Sequence, residues 1–162
     1  MEDEAFTTYV GARWGSLVRS LVLLGCEPHE AEDVTQTALI RCYQSWDRVV
    51  RADDPDAYVY RTLLNCWRKS RRRKWWGERP VDLLPEPAGS SATDDVDLRE
   101  LVDATLGQLS ADHRAVLVLR FVADLTEAQT ASVLDVPVGT VKSRTARALA
   151  TVDAAQLREE LS

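Results

Sequence analysis

The chain has 162 residues, 45% of them hydrophobic, with 20 basic and 26 acidic side chains and a formal net charge of −6. That is enough apolar material for a packed core and too much for a disordered chain, and no run approaches the roughly 20 apolar residues of a membrane-spanning helix. The acidic start, Met1-Glu2-Asp3-Glu4-Ala5, lacks the basic and then apolar pattern of a signal peptide, so the expected location is the cytoplasm.

The first expected helix covers Ala5–Leu24, where Phe6, Tyr9, Val10, Trp14, Leu17, Val18, Leu21 and Leu24 recur at helical spacing and Gly25 offers a stop. A second begins near Pro28, with Val34, Ala38, Leu39, Cys42, Tyr43, Trp46 and Val50 as its apolar stripe. Asp54-Pro55, a cap and a first-turn proline, opens a third that runs through Val59, Leu63, Cys66 and Trp67 to about Lys74. Between Gly77 and Asp97 prolines, serines and aspartates replace the periodic pattern, which predicts a flexible acidic linker. Beyond it, one helix is expected over Leu98–Leu106 and another after the cap Ser110. The expected fold is therefore all-α: two small helical domains, residues 1–76 and 98–162, joined by a linker over 77–97.

Thr126-Glu127-Ala128-Gln129 fits a capping box, so a short helix should span Glu127–Leu134. Asp135-Val136-Pro137 breaks it, and a longer helix follows over Val138–Val152. Short helix, tight turn and longer helix is the layout that places a second helix in a DNA major groove. On that helix Val141, Ala148, Leu149 and Val152 form a core stripe. Thr140, Ser143, Arg144 and Arg147 share the opposite face, flanked by Lys142, and no carboxylate intervenes before Asp153. Arginine can pair with two acceptors on guanine, whereas Thr, Ser and Lys suit phosphates.

Charge is unevenly placed: residues 61–79 sum to +7 and 113–150 to +2, while the segments between and around them are acidic. Within the first positive zone Arg61, Asn65, Arg68, Lys69 and Arg72 recur at three- and four-residue steps, opposite Leu63, Cys66 and Trp67. Aromatic rings beside cations suit unpaired bases; Trp75 and Trp76 fit either that role or the covering of a core.

Three cysteines, Cys26, Cys42 and Cys66, without a CxxC spacing, argue against a disulfide framework or a four-cysteine zinc site. Cys42 and Cys66 fall on apolar stripes, and Cys26 with His29 makes at most half a metal site. His29-Glu30-Ala31-Glu32-Asp33 lacks the second histidine of a zinc-protease HExxH. Neither a cofactor, a metal nor a catalytic residue is expected, and an enzyme is not the reading.

The segments Asp33-Val34-Thr35-Gln36-Thr37-Ala38-Leu39-Ile40 and Asp54-Pro55 through Tyr60-Arg61-Thr62-Leu63-Leu64-Asn65 resemble region 2 of an extracytoplasmic-function (ECF) sigma factor. Leu117-Val118-Leu119-Arg120-Phe121 and Pro137-Val138-Gly139-Thr140-Val141-Lys142-Ser143-Arg144, with Arg147-Ala148-Leu149, resemble region 4. The resemblance implies an RNA polymerase sigma subunit that promotes melting of promoter DNA at initiation. Thr140, Lys142, Ser143, Arg144 and Arg147 would hold the −35 element. Arg61, Asn65, Arg68, Lys69 and Arg72 would face the unpaired nontemplate strand of the −10 element. Asp33, Gln36, Leu39, Ile40 and Tyr43 would meet core polymerase at the beta-prime coiled coil, and region 4 would dock on the beta flap. An anti-sigma factor is a further partner the resemblance allows. Asp135 stands where the family often has glycine, and Thr130 where isoleucine is frequent. The competing reading is a stand-alone helix-turn-helix regulator whose N-terminal helices dimerise or sense a signal.

Overall fold

The computed structural model describes residues 2–75, 100 and 102–161, and among these there are helices and turns but no strand. The linker expected over 77–97, Leu98 and Trp76 lie outside the described residues.

Helix α1 (Glu2–Leu23) buries Leu17 and Leu21 completely. Gly25 ends its last turn at φ 111°, a left-handed conformation that glycine adopts without steric cost, and the Cys26 N–H returns to the Leu21 carbonyl at 2.9 Å. Helix α2 (Pro28–Gln44) is capped by Glu27, whose carboxylate accepts from the His29 and Glu30 N–H groups. Here the structure departs from the expected stripe. The chain breaks at Ser45 (φ −124°) and restarts as α3 (Trp46–Arg51). The break shifts the helical phase, so Val49 is fully buried whereas Val50 is 56% exposed.

Helix α4 (Pro55–Trp75) is capped by Asp54, which accepts from the Ala57 N–H at 3.1 Å. It packs through Ala57, Val59, Tyr60, Leu63, Leu64 and Cys66 against α1 and α2. Polar bonds fix the seam with α1. Asp56 accepts from the Tyr9 hydroxyl at 3.0 Å and from Arg13 at 2.9 Å, and the Ser16 and Tyr60 hydroxyls lie 2.8 Å apart. Burial, then the nearby Asp56 carboxylate, push the Tyr9 phenol well above its usual range. All three cysteines are buried, Cys26 included.

The C-terminal part begins with helical residues 102–107 (α5) and α6 (Ala111–Leu117), whose His113 N–H bonds to the Ser110 hydroxyl at 3.2 Å. A π-helical stretch, Val118–Val122, then leads to Asp124, left-handed at φ 57°. Helix α7 (Glu127–Leu134) carries the expected capping box: Thr126 and Gln129 bond each other's backbone at 3.0 and 2.8 Å. Asp135 takes φ 56°, ψ 50° in the turn, a region aspartate tolerates better than most residues. Helix α8 (Val138–Leu161) runs past the expected end at Val152. Its Val141 and Ala148 are fully buried, but Leu149 is 41% exposed, so the inward stripe is narrower than the sequence pattern suggested.

The two parts share a core. Leu119, Ala123, Leu125 and Val133 belong to the same buried cluster as the residues of α1–α4.

Candidate nucleic-acid interface

Helix α4 carries its cations on the face away from its buried residues. Arg61, Asn65, Arg68, Lys69 and Arg72 are all exposed. The last four line an open cleft of about 630 Å³ between α4 and the end of α2, together with Arg41, Ser45, Tyr58 and Thr62. Arg41 belongs to this group and was not anticipated. It lies in a segment whose net charge is −6, and the sum concealed a cation that the helix pairing brings beside Lys69 and Arg72. Arg61 stands apart at the other end of the face, bonded to Ser132 of α7. Lys74 is withdrawn from the basic face by an ion pair with Glu30 at 2.7 Å. Arg71 lies 4.9 Å from the ring of Trp67 in a cation–π contact. Trp75 is 87% exposed, so of its two readings the core one is excluded.

On α8 the exposed residues Lys142, Ser143 and Arg147 face outward from the turn, with Thr140 half-buried beside them. The Ser143 hydroxyl donates to the Thr140 carbonyl at 3.1 Å. Arg144 is half-buried and lies 3.7 Å from Asp112 at the start of α6, so one carboxylate already competes for its guanidinium. The short-helix, turn and long-helix geometry of α7, Asp135–Pro137 and α8 is that of a helix-turn-helix.

The outer face of α2 presents Asp33, Gln36, Ile40 and Tyr43; Ile40 is 51% and Tyr43 45% exposed. Tyr43 also packs against the Phe6 ring, 4.8 Å between centroids, and donates to Asp3. Leu39 does not share that face. It is 4% exposed, turned into the same buried cluster as Cys42. A second feature is apolar: a groove of about 450 Å³ lined mainly by Leu106, Leu117, Val118, Phe121, Leu149 and Val152, with Phe121 60% exposed. Among the described residues no group of three or more His, Cys, Asp or Glu side chains is arranged to hold a metal, and no helix is long and apolar enough to cross a membrane.

Comparison with known proteins agrees with this layout. Residues 12–77 match the family described as Sigma-70 region 2, and residues 99–152 match Sigma-70, region 4. The chain is 36% identical to the RNA polymerase sigma-E factor of Streptomyces avermitilis over 161 residues, covering 96% of this chain and 84% of that protein. It is 37% identical to the sigma-E factor of Streptomyces coelicolor, with 96% and 85% covered. Against the ECF RNA polymerase sigma-E factor of Escherichia coli K12 the identity is 29%, with 94% and 86% covered. In fold it is similar to CnrH, solved with the cytosolic domain of CnrY, at a TM-score of 0.71, 24% identity, and 95% and 88% coverage. It is similar also to the sigma factor RpoE of Bartonella quintana, co-crystallised with the anti-sigma factor NepR, at a TM-score of 0.72, 20% identity, and 93% and 96% coverage. With both helical regions matched in order and curated relatives aligned along nearly its whole length, the chain belongs to the ECF group of sigma-70-family RNA polymerase sigma factors.

Proposed function

We propose that this sigma factor selects promoters by reading two separated elements, holding the −35 element on α8 and the unpaired −10 nontemplate strand on α4. Thr140, Lys142, Ser143, Arg144 and Arg147 meet the −35 duplex. Arg61, Asn65, Arg68, Lys69 and Arg72, joined by Arg41, meet the −10 strand. Asp33, Gln36, Ile40 and Tyr43 on the outer face of α2 meet the beta-prime coiled coil of core polymerase, and the C-terminal helices meet the beta flap. This reading divides the chain into region 2 over 1–76 and region 4 over 98–162, a division supported by the family matches at residues 12–77 and 99–152.

The observation that carries this reading is the cleft between α2 and α4, where Arg41, Arg68, Lys69 and Arg72 converge on one open surface. A chain that tracks a phosphate backbone needs such convergence, and unpaired bases stack on neighbouring rings at about 1–3 kcal/mol each. Melting then follows from preferential binding: a site that holds extruded bases favours the open duplex over the paired one. Each reader alone is small. Docking on polymerase fixes their spacing and raises the effective concentration of the second contact once the first is made. An anti-sigma factor fits the same frame, since one solved neighbour was crystallised with one and the apolar groove beside Phe121 is open to a partner helix.

Complex formation with core RNA polymerase tests this assignment. The purified chain should co-elute with core, and Ile40→Glu, which places a charge on an exposed apolar position of α2, should remove it from that peak while leaving its helical content intact. A chain that never co-elutes with core, or an Ile40→Glu variant that binds as well as the parent, overturns the assignment of that face.

A further inference from the structure

The cleft between α2 and α4 adjoins a larger open cavity of about 1030 Å³, and Arg41 and Lys69 line both. The two spaces differ in charge. On its α2 side the larger one is lined by Glu27, Glu30 and Asp33, carboxylates three residues apart, and on its α4 side by Lys69 and Lys74. Lys74 lies five residues beyond Lys69, about 7.5 Å further along the helix axis, so the cations of α4 continue past the cleft.

Glu30 holds that last cation. The Ser70 hydroxyl donates to Glu30 Oε1 at 2.9 Å and Lys74 Nζ donates to Oε2 at 2.7 Å, so both carboxylate oxygens are taken by residues one turn apart on α4. The Glu30 side chain is 15% exposed, and its backbone N–H is bonded to the Glu27 carboxylate at 3.1 Å, which fixes the first turn of α2. A phosphate that took Lys74 would leave Glu30 ionised, mostly out of water and with one neutral donor. Removing one partner from such a pair is unfavourable. The phosphate would also come up against Glu27 and Asp33.

We propose that Glu30 ends the phosphate track: it withholds Lys74 from DNA, so that a strand in the cleft is held as far as Lys69 and leaves the protein there. The inference rests on the reading of the cleft as the path of the −10 strand. Phosphate contacts carry no sequence information, so a track that ran on to Lys74 would tighten binding to every strand alike. Glu30 thereby limits the sequence-independent part of the affinity.

The anisotropy of a fluorescein-labelled 20-mer of thymidine, titrated with the full chain between 50 and 200 mM salt, reads the number of phosphates engaged. Glu30→Gln keeps an acceptor for Ser70 but removes the charge that holds Lys74. Its slope of log affinity against log salt should be steeper than the parent's by about 0.7, so the same rise in salt costs about 2.6-fold more. Lys74→Ala should leave the slope of the parent unchanged, yet in the Glu30→Gln background it should restore the parental value. Glu32→Gln removes the same charge from an exposed position of α2 that lines neither space, and it should keep the parental slope. A parental slope in Glu30→Gln, or an equal steepening by Glu32→Gln, overturns the proposal. So does a flatter slope for Lys74→Ala alone, a result that needs no change at Glu30. If Glu30→Gln steepens the slope while Lys69→Ala/Arg72→Ala leaves it at the parental value, the −10 assignment of the cleft is overturned and the hold on Lys74 is not.

Discussion

Removing two cations from the cleft between α2 and α4 should change how binding responds to salt, and by an amount the structure sets. Four cationic side chains line that cleft: Arg41, Arg68, Lys69 and Arg72. If each neutralises one phosphate of a single strand, the slope of log affinity against log salt is about −0.7 for each, hence about −2.8 in total. Raising salt from 50 to 200 mM then weakens binding about 50-fold. In the double variant Lys69→Ala/Arg72→Ala two contacts remain, the slope falls to about −1.4, and the same change of salt costs only about 7-fold. Both residues are exposed on α4, so the substitution leaves the buried face untouched. Anisotropy titration of a labelled single strand over that salt range measures both slopes. A double variant with the parental slope would refute the assignment of the cleft to phosphates, whatever its absolute affinity.

Other consequences follow from particular side chains. Thr130 is fully buried in α7 and its hydroxyl has no hydrogen-bond partner. An unpartnered buried hydroxyl costs about 1–3 kcal/mol, so Thr130→Val should raise the urea midpoint at an unchanged m-value, and a lower midpoint would mean the hydroxyl is satisfied. Burial, partly offset by a hydrogen bond with Thr62, pushes the Cys42 thiol up to about 11, and burial beside Glu30 pushes Cys26 up to about 12. Unfolded cysteine ionises near 8.5, so below that pH the thiols add no slope. As pH rises from 9 to 10 the unfolded chain sheds protons that the folded chain keeps, and stability should fall by about 1.2 kcal/mol per thiol. Urea unfolding at pH 8, 9 and 10 reads this, and Cys42→Ala should flatten the decline; a parent whose stability is constant over that range contradicts it. On α8, Arg144→Ala should weaken binding to the −35 sequence selectively, whereas Lys142→Ala should lower affinity across all sequences and flatten the salt dependence. Equal losses on every sequence for Arg144→Ala would remove its base-reading role.

What the sequence revealed was mostly local. Ser110, Thr126 with Gln129, Asp54 with Pro55, and Gly25 each act on backbone groups a few residues away, so their effects can be read without knowing the partner helices. The break at Ser45 carries no signal in the sequence because Trp46 continues the apolar spacing of α2 even though it begins a new helix. Asp124 takes a left-handed conformation after a π-helical stretch, for which the flanking residues carry no turn signal. Leu39 satisfies both a buried and a surface role by pattern, and only the packing of α2 into the shared core decides for burial. The docking of α7 on α4 was equally hidden: Val133 and Leu125 suit a core within the C-terminal helices as well as one shared with α1–α4. Arg144 was placed with the outward residues of α8, but its proximity to Asp112 depends on how α6 crosses α8.

If this chain confers promoter-dependent initiation on RNA polymerase, run-off transcription with purified core enzyme and a candidate promoter should give a transcript of defined length that requires the protein. That transcript should disappear when either promoter element is scrambled and fall sharply with Lys69→Ala/Arg72→Ala. Binding to a palindromic duplex without polymerase, together with no protein-dependent transcript from core, would contradict that role and leave a stand-alone regulator in its place.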